Sequence, residues 1–231
     1  MSAGISPELV EESTYPLPSL DVIDYLTQRA EMDSFLMVEF GHDAHPVAHQ
    51  QSRPFTGDRA YIGFEAWLRD PEGKKKDAIQ KTSEVYSDSN HNIHFQTLAL
   101  GGIVRSITED GEQQKWYEGL YDPTTALPDG TAEEVLLGNV LSDPYLVYSH
   151  ERTGAMIDEA VRILADSGVI VIRETIRPDR VGAAFEASIA ARDLKVLARV
   201  TPEDEQWEAL ESQFVADPYY APDSYYLLLS K

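Results

Sequence analysis

The stretch from Thr153 to Ile172 constrains the fold more than any other part of this chain. Met156, Ile157, Ala160, Val161 and Leu164 recur at three- and four-residue steps between Thr153 and Ala165, which predicts an amphipathic helix with one apolar stripe. Gly168 stops it, and Val169-Ile170-Val171-Ile172 comes next. An unbroken apolar β-branched run leaves no polar face for water, so it reads as a strand buried on both sides. Strands of that kind belong to parallel sheets covered by helices.

The rest of the chain repeats the alternation. Ser19 to Arg29 reads as a helix, with Leu20, Ile23 and Leu26 on one face. Phe35 to Phe40, closing on Gly41, and Ala60 to Glu65 read as buried strands, and Ile93 to Leu100 as a third, stopped by Gly101-Gly102. Glu134 to Val140, Val196 to Val200 and Tyr225 to Ser230 complete the predicted strands. Pro178 to Ala191 reads as a helix, and so does the polar segment 72–90 with its Lys74-Lys75-Lys76 cluster. Thr201-Pro202-Glu203-Asp204 predicts a helix start, with a capping Thr, Pro in the first turn and acids facing the dipole. Segments 41–59 and 105–131 read as loops, the latter with tight turns at Asp110-Gly111 and Asp129-Gly130. Residues 1–18, with three prolines, read as a flexible lead-in to a single α/β domain over 19–231.

Composition narrows the chemistry. The 231 residues contain no cysteine, which excludes disulfides, thiolate metal sites and a Cys nucleophile. Forty acids against 19 bases give a net charge of −21, and the acids are spread over both halves of the chain. Such a field repels phosphate backbones and anionic lipid surfaces, so neither nucleic acid nor membrane is expected as a partner. No apolar run has the ~20 residues of a membrane helix, and Met1 to Pro18 lack the basic and apolar regions of a signal peptide, so a cytoplasmic location is expected. His42, His45 and His49 lie close together, but Pro46 interrupts any helix that would align them, and no metal site is expected. Neither a Walker loop nor Gly-x-Ser-x-Gly occurs.

In open parallel sheets ligands sit beyond the carboxyl ends of the strands. The residues there are Glu39-Phe40-Gly41-His42-Asp43, Glu65, Asn139 with Ser142-Asp143-Pro144, and Arg173-Glu174. A Gly at a strand-to-loop turn allows close backbone approach to a ligand. A carboxylate on the neighbouring strand end suits the two hydroxyls of a ribose.

With these residues in place the chain resembles the class I S-adenosylmethionine-dependent methyltransferases. Glu39-Phe40-Gly41 is similar to the opening of their first motif, and Glu65 to the acid that holds the cofactor ribose. Glu134 to Leu141 resembles their fourth strand, which ends near the transfer site. Ala160-Val161-Arg162-Ile163-Leu164 through Gly168 to Glu174 resembles their following helix and fifth strand. The resemblance implies a doubly wound α/β fold: a mostly parallel seven-stranded sheet with helices on both faces and an antiparallel last strand. It implies S-adenosylmethionine as cofactor, a small-molecule substrate, and a cofactor site formed by Glu39, Gly41, His42, Asp43, Glu65 and Asn139. His42 and Asp143 are the candidate catalytic bases.

The chain also departs from that pattern. His42-Asp43-Ala44-His45-Pro46 stands where further loop glycines are usual, so the glycine loop is degenerate. Leu98 to Gly102 offers no acid for an adenine amino group. Ser142-Asp143-Pro144-Tyr145 is similar to the Asp-Pro-Pro-Tyr of amino-group methyltransferases, with one Pro missing. The altered loop leaves a second reading, a methyltransferase-like protein without methyl transfer that serves as a binding, scaffold or regulatory subunit. Self-association into a homo-oligomer stays open.

Overall fold

The computed structural model describes residues 20–41, 55–65, 92–97, 103–109, 112–118, 123–141, 146, 150–174, 188–214 and 224–231. Its elements are α1 (Val22–Ala30), β1 (Phe35–Phe40), β2 (Arg59–Glu65), β3 (Ile93–Thr97), β4 (Ile103–Glu109), β5 (Glu112–Glu118), β6 (Ala132–Gly138), α2 (His150–Ile163), β7 (Leu164–Glu174), β8 (Lys195–Val200), α3 (Trp207–Phe214) and β9 (Tyr225–Ser230).

Seven strands form one sheet in the order β3-β2-β1-β6-β7-β9-β8. The pairs β1–β2, β2–β3, β1–β6 and β6–β7 are parallel, whereas β9 runs antiparallel to both β7 and β8. This is the expected doubly wound sheet with an antiparallel last strand. Val169 to Ile172 are all 1 % exposed or less, because one core lies on each face. Ile170 and Ile172 meet Met156, Ile157 and Ala160 of α2, while Val169 and Val171 share the opposite core with Leu26 of α1 and Leu210 of α3. Among the described residues no helix is long and apolar enough to cross a membrane.

Several elements differ from their sequence reading. The segment 105–131, read as a loop, contains most of β4 and all of β5, antiparallel strands that form their own two-stranded sheet. Its polar composition hides the strand alternation, and the turn expected at Asp110-Gly111 lies outside the described residues. Asp129-Gly130 is a turn, with Gly130 at φ +67°. The first helix begins at Val22 rather than Ser19, because the Asp21 side chain accepts a hydrogen bond from Asp24 N (3.0 Å) and caps it there. The helix expected from Thr201 starts at Trp207. The Asp204 carboxylate accepts from Thr201 N (2.6 Å) and Thr201 Oγ1 (2.9 Å), closing a turn ahead of the helix. Helix α2 ends at Ile163, and Leu164 already pairs with Ala132, so β7 starts before Gly168 with a register shift. The expected lead-in 1–18, the helix over 72–90 and most of Pro178 to Ala191 lie outside the described residues.

A polar knot fastens α2 to the approach of β6. Arg162 donates Nε to Glu159 Oε2 and Nη2 to Glu159 Oε1 (2.7 Å each), and Nη1 to the Leu127 carbonyl (2.8 Å). Thr125 donates its N–H and its hydroxyl to Glu159 Oε1 (2.7 Å each). Burial alone would push the Glu159 carboxyl up, but the hydrogen bonds from Arg162 and Thr125 outweigh it and hold the group below its ordinary value. A carboxylate lowered in the folded state adds stability that is fully present above its unfolded pKa, about 4.3, and is lost as pH falls through the folded value. Urea titrations should therefore find wild type more stable than Glu159→Gln at neutral pH, with the gap closing progressively as pH falls below about 5. A gap constant over that range would contradict this assignment.

Candidate functional site

Strands β2 and β3 lie on one side of β1, and β6 and β7 on the other. The strand order therefore reverses between β1 and β6, and open α/β sheets bind their ligands beyond the carboxyl ends at such a reversal. The residues at that end are set by strand parity. Glu39 follows Phe35 and Met37 on the α1 face, while Val38 and Phe40 point to the α2 face.

Glu39 is 6 % exposed. The Tyr61 hydroxyl, on β2, donates to Glu39 Oε2 at 2.6 Å in a buried setting. In the register Glu39 pairs with Gly63 and Tyr61 with Met37, so the Tyr61 hydroxyl reaches diagonally across a position that has no side chain. A Cβ placed on Gly138 of β6 would lie 3.7 Å from Glu39 Oε1, which puts the second carboxylate oxygen on the β6 side. One carboxylate thus ends the face of β1 between two glycine-bearing neighbours.

Gly41 closes β1 at φ +80°, in the left-handed region. Its N–H donates to the Phe64 carbonyl at 2.8 Å. A Cβ here would meet Val140 Cγ2 at 2.5 Å and the Gly138 carbonyl oxygen at 3.0 Å. The sequence suggests this Gly as an approach for a ligand; the structure adds a close approach to the end of β6.

Asn139 is exposed just past β6 at φ +52°, a conformation Asn tolerates, and its N–H donates to the Arg173 carbonyl at 2.7 Å. Leu141 N donates to Glu174 Oε1 at 2.8 Å, and Glu174 is fully buried. These bonds fix the segment 139–141 on the end of β7. Tyr225 pairs with Glu174 across β7–β9, and burial, reinforced by the Glu174 charge, pushes its hydroxyl well above the ordinary tyrosine range. It stays neutral at physiological pH.

Glu65 is the last residue of β2 and pairs with Thr97 of β3, two strands from Asn139. The structure therefore brings Glu39, Gly41, Glu65 and Asn139 to the carboxyl edge of three adjacent strands. His42, Asp43 and Asp143 lie outside the described residues, as do His45, His49 and Ser142 to Tyr145. Tyr61 escapes the sequence reading, and so does the pairing of Glu174 with Leu141. Tyr61 has a usable signal, since it shares strand parity with Gly63 and Glu65. Glu174 has only its place after the strand core, with nothing local to pair it with Leu141.

On its other face, β7 carries Arg173, which donates Nε to Glu211 Oε1 (2.8 Å) and Nη2 to Oε2 (3.0 Å) of α3. Tyr226 donates its hydroxyl to the same Oε1 at 2.7 Å. Burial would lower the Arg173 pKa, but the fork onto Glu211 outweighs it and the guanidinium stays charged.

Several solved structures have a similar shape. The trans-methyltransferase CalH in complex with SAH superposes with a TM-score of 0.51 at 13% identity, over 90% of this chain and 55% of that one. The PH0226 protein from Pyrococcus horikoshii OT3 gives 0.51 at 10% identity, over 90% and 87%. The mitomycin 7-O-methyltransferase MmcR gives 0.51 at 8%, over 90% and 52%. This chain spans little more than half the length of the first and third. No protein-family model matches the chain, and no curated protein sequence matches it. At such identities the likeness is one of architecture, and the architecture is that of the class I S-adenosylmethionine-dependent methyltransferases.

Proposed function

We propose that this chain, built on the class I methyltransferase fold, binds S-adenosylmethionine and transfers its methyl group to a small molecule. The observation that carries the reading is the buried Glu39 carboxylate at the β1/β6 reversal, flanked by Gly41 and Gly138. The donor set suits the group. A sulfonium cofactor is cationic at its reacting centre and carries a ribose diol, and this edge offers Glu39 for charge and Glu65 on the adjacent strand for hydroxyls. When bound, the cofactor would supply an electrophilic methyl carbon.

The chain's own residues would bind and orient. Gly41 and the turn at Asn139 would border the methionine part, Glu65 would hold the ribose, and His42 with Asp43 would line the loop beyond. A proton released by the accepting atom would pass to His42 or Asp143. Positioning would supply most of the rate, because an aligned nucleophile avoids much of the entropic barrier. The net charge of −21 favours small neutral or cationic substrates over polyanions, and a cytoplasmic location is part of the proposal.

Calorimetry with S-adenosylmethionine and S-adenosylhomocysteine tests it. Wild type should bind both, and Glu65→Ala should weaken each on the order of tenfold or more, since a lost hydrogen bond to a charged group is worth ~1.5–3 kcal/mol. Absence of binding by wild type would leave the fold as a binding or scaffold module instead.

A further inference from the structure

We infer that Tyr61 is a positioning residue for the cofactor's cationic end, acting through Glu39; this rests on the cofactor reading above. A carboxylate at the end of a strand has free rotation about its side chain unless something holds it, and a wandering charge stabilises a cation less than a fixed one. The Tyr61 hydroxyl holds Glu39 Oε2 at 2.6 Å, within the range of a charge-assisted hydrogen bond. Oε1 lies on the side of Gly138, where the strand order reverses between β1 and β6.

The donor is itself immobilised. Tyr61 is fully buried, its ring lies 5.4 Å from that of Phe55 at a 47° tilt, and Phe55 is buried as well. The backbone behind both rings is closed by two hydrogen bonds, Tyr61 N to the Asn92 carbonyl and Asn92 N to the Phe55 carbonyl, each 2.8 Å. Gly63 faces Glu39 in the register, so no side chain of β2 stands directly opposite the carboxylate and crowds the phenol that reaches it. A side chain locked at its base in this way can hold a carboxylate in one orientation. Packing alone does not need that hydroxyl; Phe would fill the same core.

The test is a double-mutant cycle read by the Kd for S-adenosylmethionine, with thermal melts run beside it. Tyr61→Phe should weaken binding on the order of tenfold, and Glu39→Gln at least as much. The double variant should bind within about twofold of Glu39→Gln alone, because the hydroxyl has nothing left to orient. Glu39→Asp keeps the charge but retracts it from Tyr61, and should weaken binding like Tyr61→Phe, which gives a second measurement if Tyr61→Phe proves too unstable to titrate. Multiplying losses in the double variant, or wild-type affinity in Glu39→Asp, would overturn the role of Tyr61 while the cofactor assignment stood. Failure of wild type to bind S-adenosylmethionine would overturn the cofactor assignment and this inference together.

Discussion

Gly41→Ala should cost the fold roughly 2–5 kcal/mol and abolish measurable cofactor binding. Two separate penalties add. An alanine held at φ +80° suffers the left-handed strain of ~1–2 kcal/mol. Its Cβ would then sit 2.5 Å from Val140 Cγ2 and 3.0 Å from the Gly138 carbonyl oxygen, and overpacking of that kind costs ~1–3 kcal/mol. Neither neighbour can swing away, since one is a β-branched side chain and the other is backbone. Relief requires β1 and β6 to part at the very edge where the candidate site lies. Gly57→Ala separates the two penalties, because Gly57 has φ +65° but nothing within 4 Å of a built Cβ. Urea denaturation should place Gly57→Ala near the strain value alone and Gly41→Ala well below it. Equal losses in the two variants would mean that the close approach of β1 and β6 carries no weight.

The second large effect is expected on the opposite flank. Glu211→Ala should destabilise the protein by about 3–5 kcal/mol, the usual result of removing one partner from a buried ion pair. Arg173, Glu211 and Tyr226 are 6 %, 2 % and 0 % exposed, and Trp207, Leu210 and Phe214 share their core. The guanidinium would keep its charge there without the carboxylate that forks onto it. Replacing both ends with apolar residues, as in Arg173→Met with Glu211→Leu, should recover much of the loss, since the pair's attraction is set against its own desolvation. Urea midpoints of the single and double variants decide this. A single-variant loss under about 1 kcal/mol would show that water or another group satisfies Arg173. Because the Arg173 carbonyl receives the Asn139 N–H, the same variant should also weaken ligand binding at the β6 end.

Periodicity carries most of what is legible in the sequence. Val169 to Ile172 and Tyr225 to Ser230 declare buried strands because every residue but the last must be apolar when both faces are covered. Glu39 and Gly41 are legible for a different reason: they break an apolar run at its end, where a parallel sheet places ligands. The strand pair β4–β5 is not legible, because Glu112-Gln113-Gln114-Lys115 carries no apolar alternation to distinguish a strand from a loop. The start of α3 is misplaced because a Thr-x-x-Asp turn and a helix cap use the same local hydrogen bonds. The partners of Arg173 and Glu174 lie more than thirty residues away in the chain, so only the assembled sheet pairs them.

The place of β9 bears on how the sheet comes together. Strand β8 is made first, yet among the described residues it joins the sheet only through β9, which inserts between β7 and β8. Until residues 225–230 are available, β8 has no neighbour in the sheet, and the edge of β7 that β9 covers stands open. That flank therefore assembles out of chain order, with an earlier strand waiting for a later one. Such non-local pairing must close its loops before it gains any contact, which slows folding. While it waits, the edge of β7 is an unpaired apolar strand of the kind that invites association with other chains. The parallel half, β1 to β3 with β6, completes its pairings without any residue beyond β7.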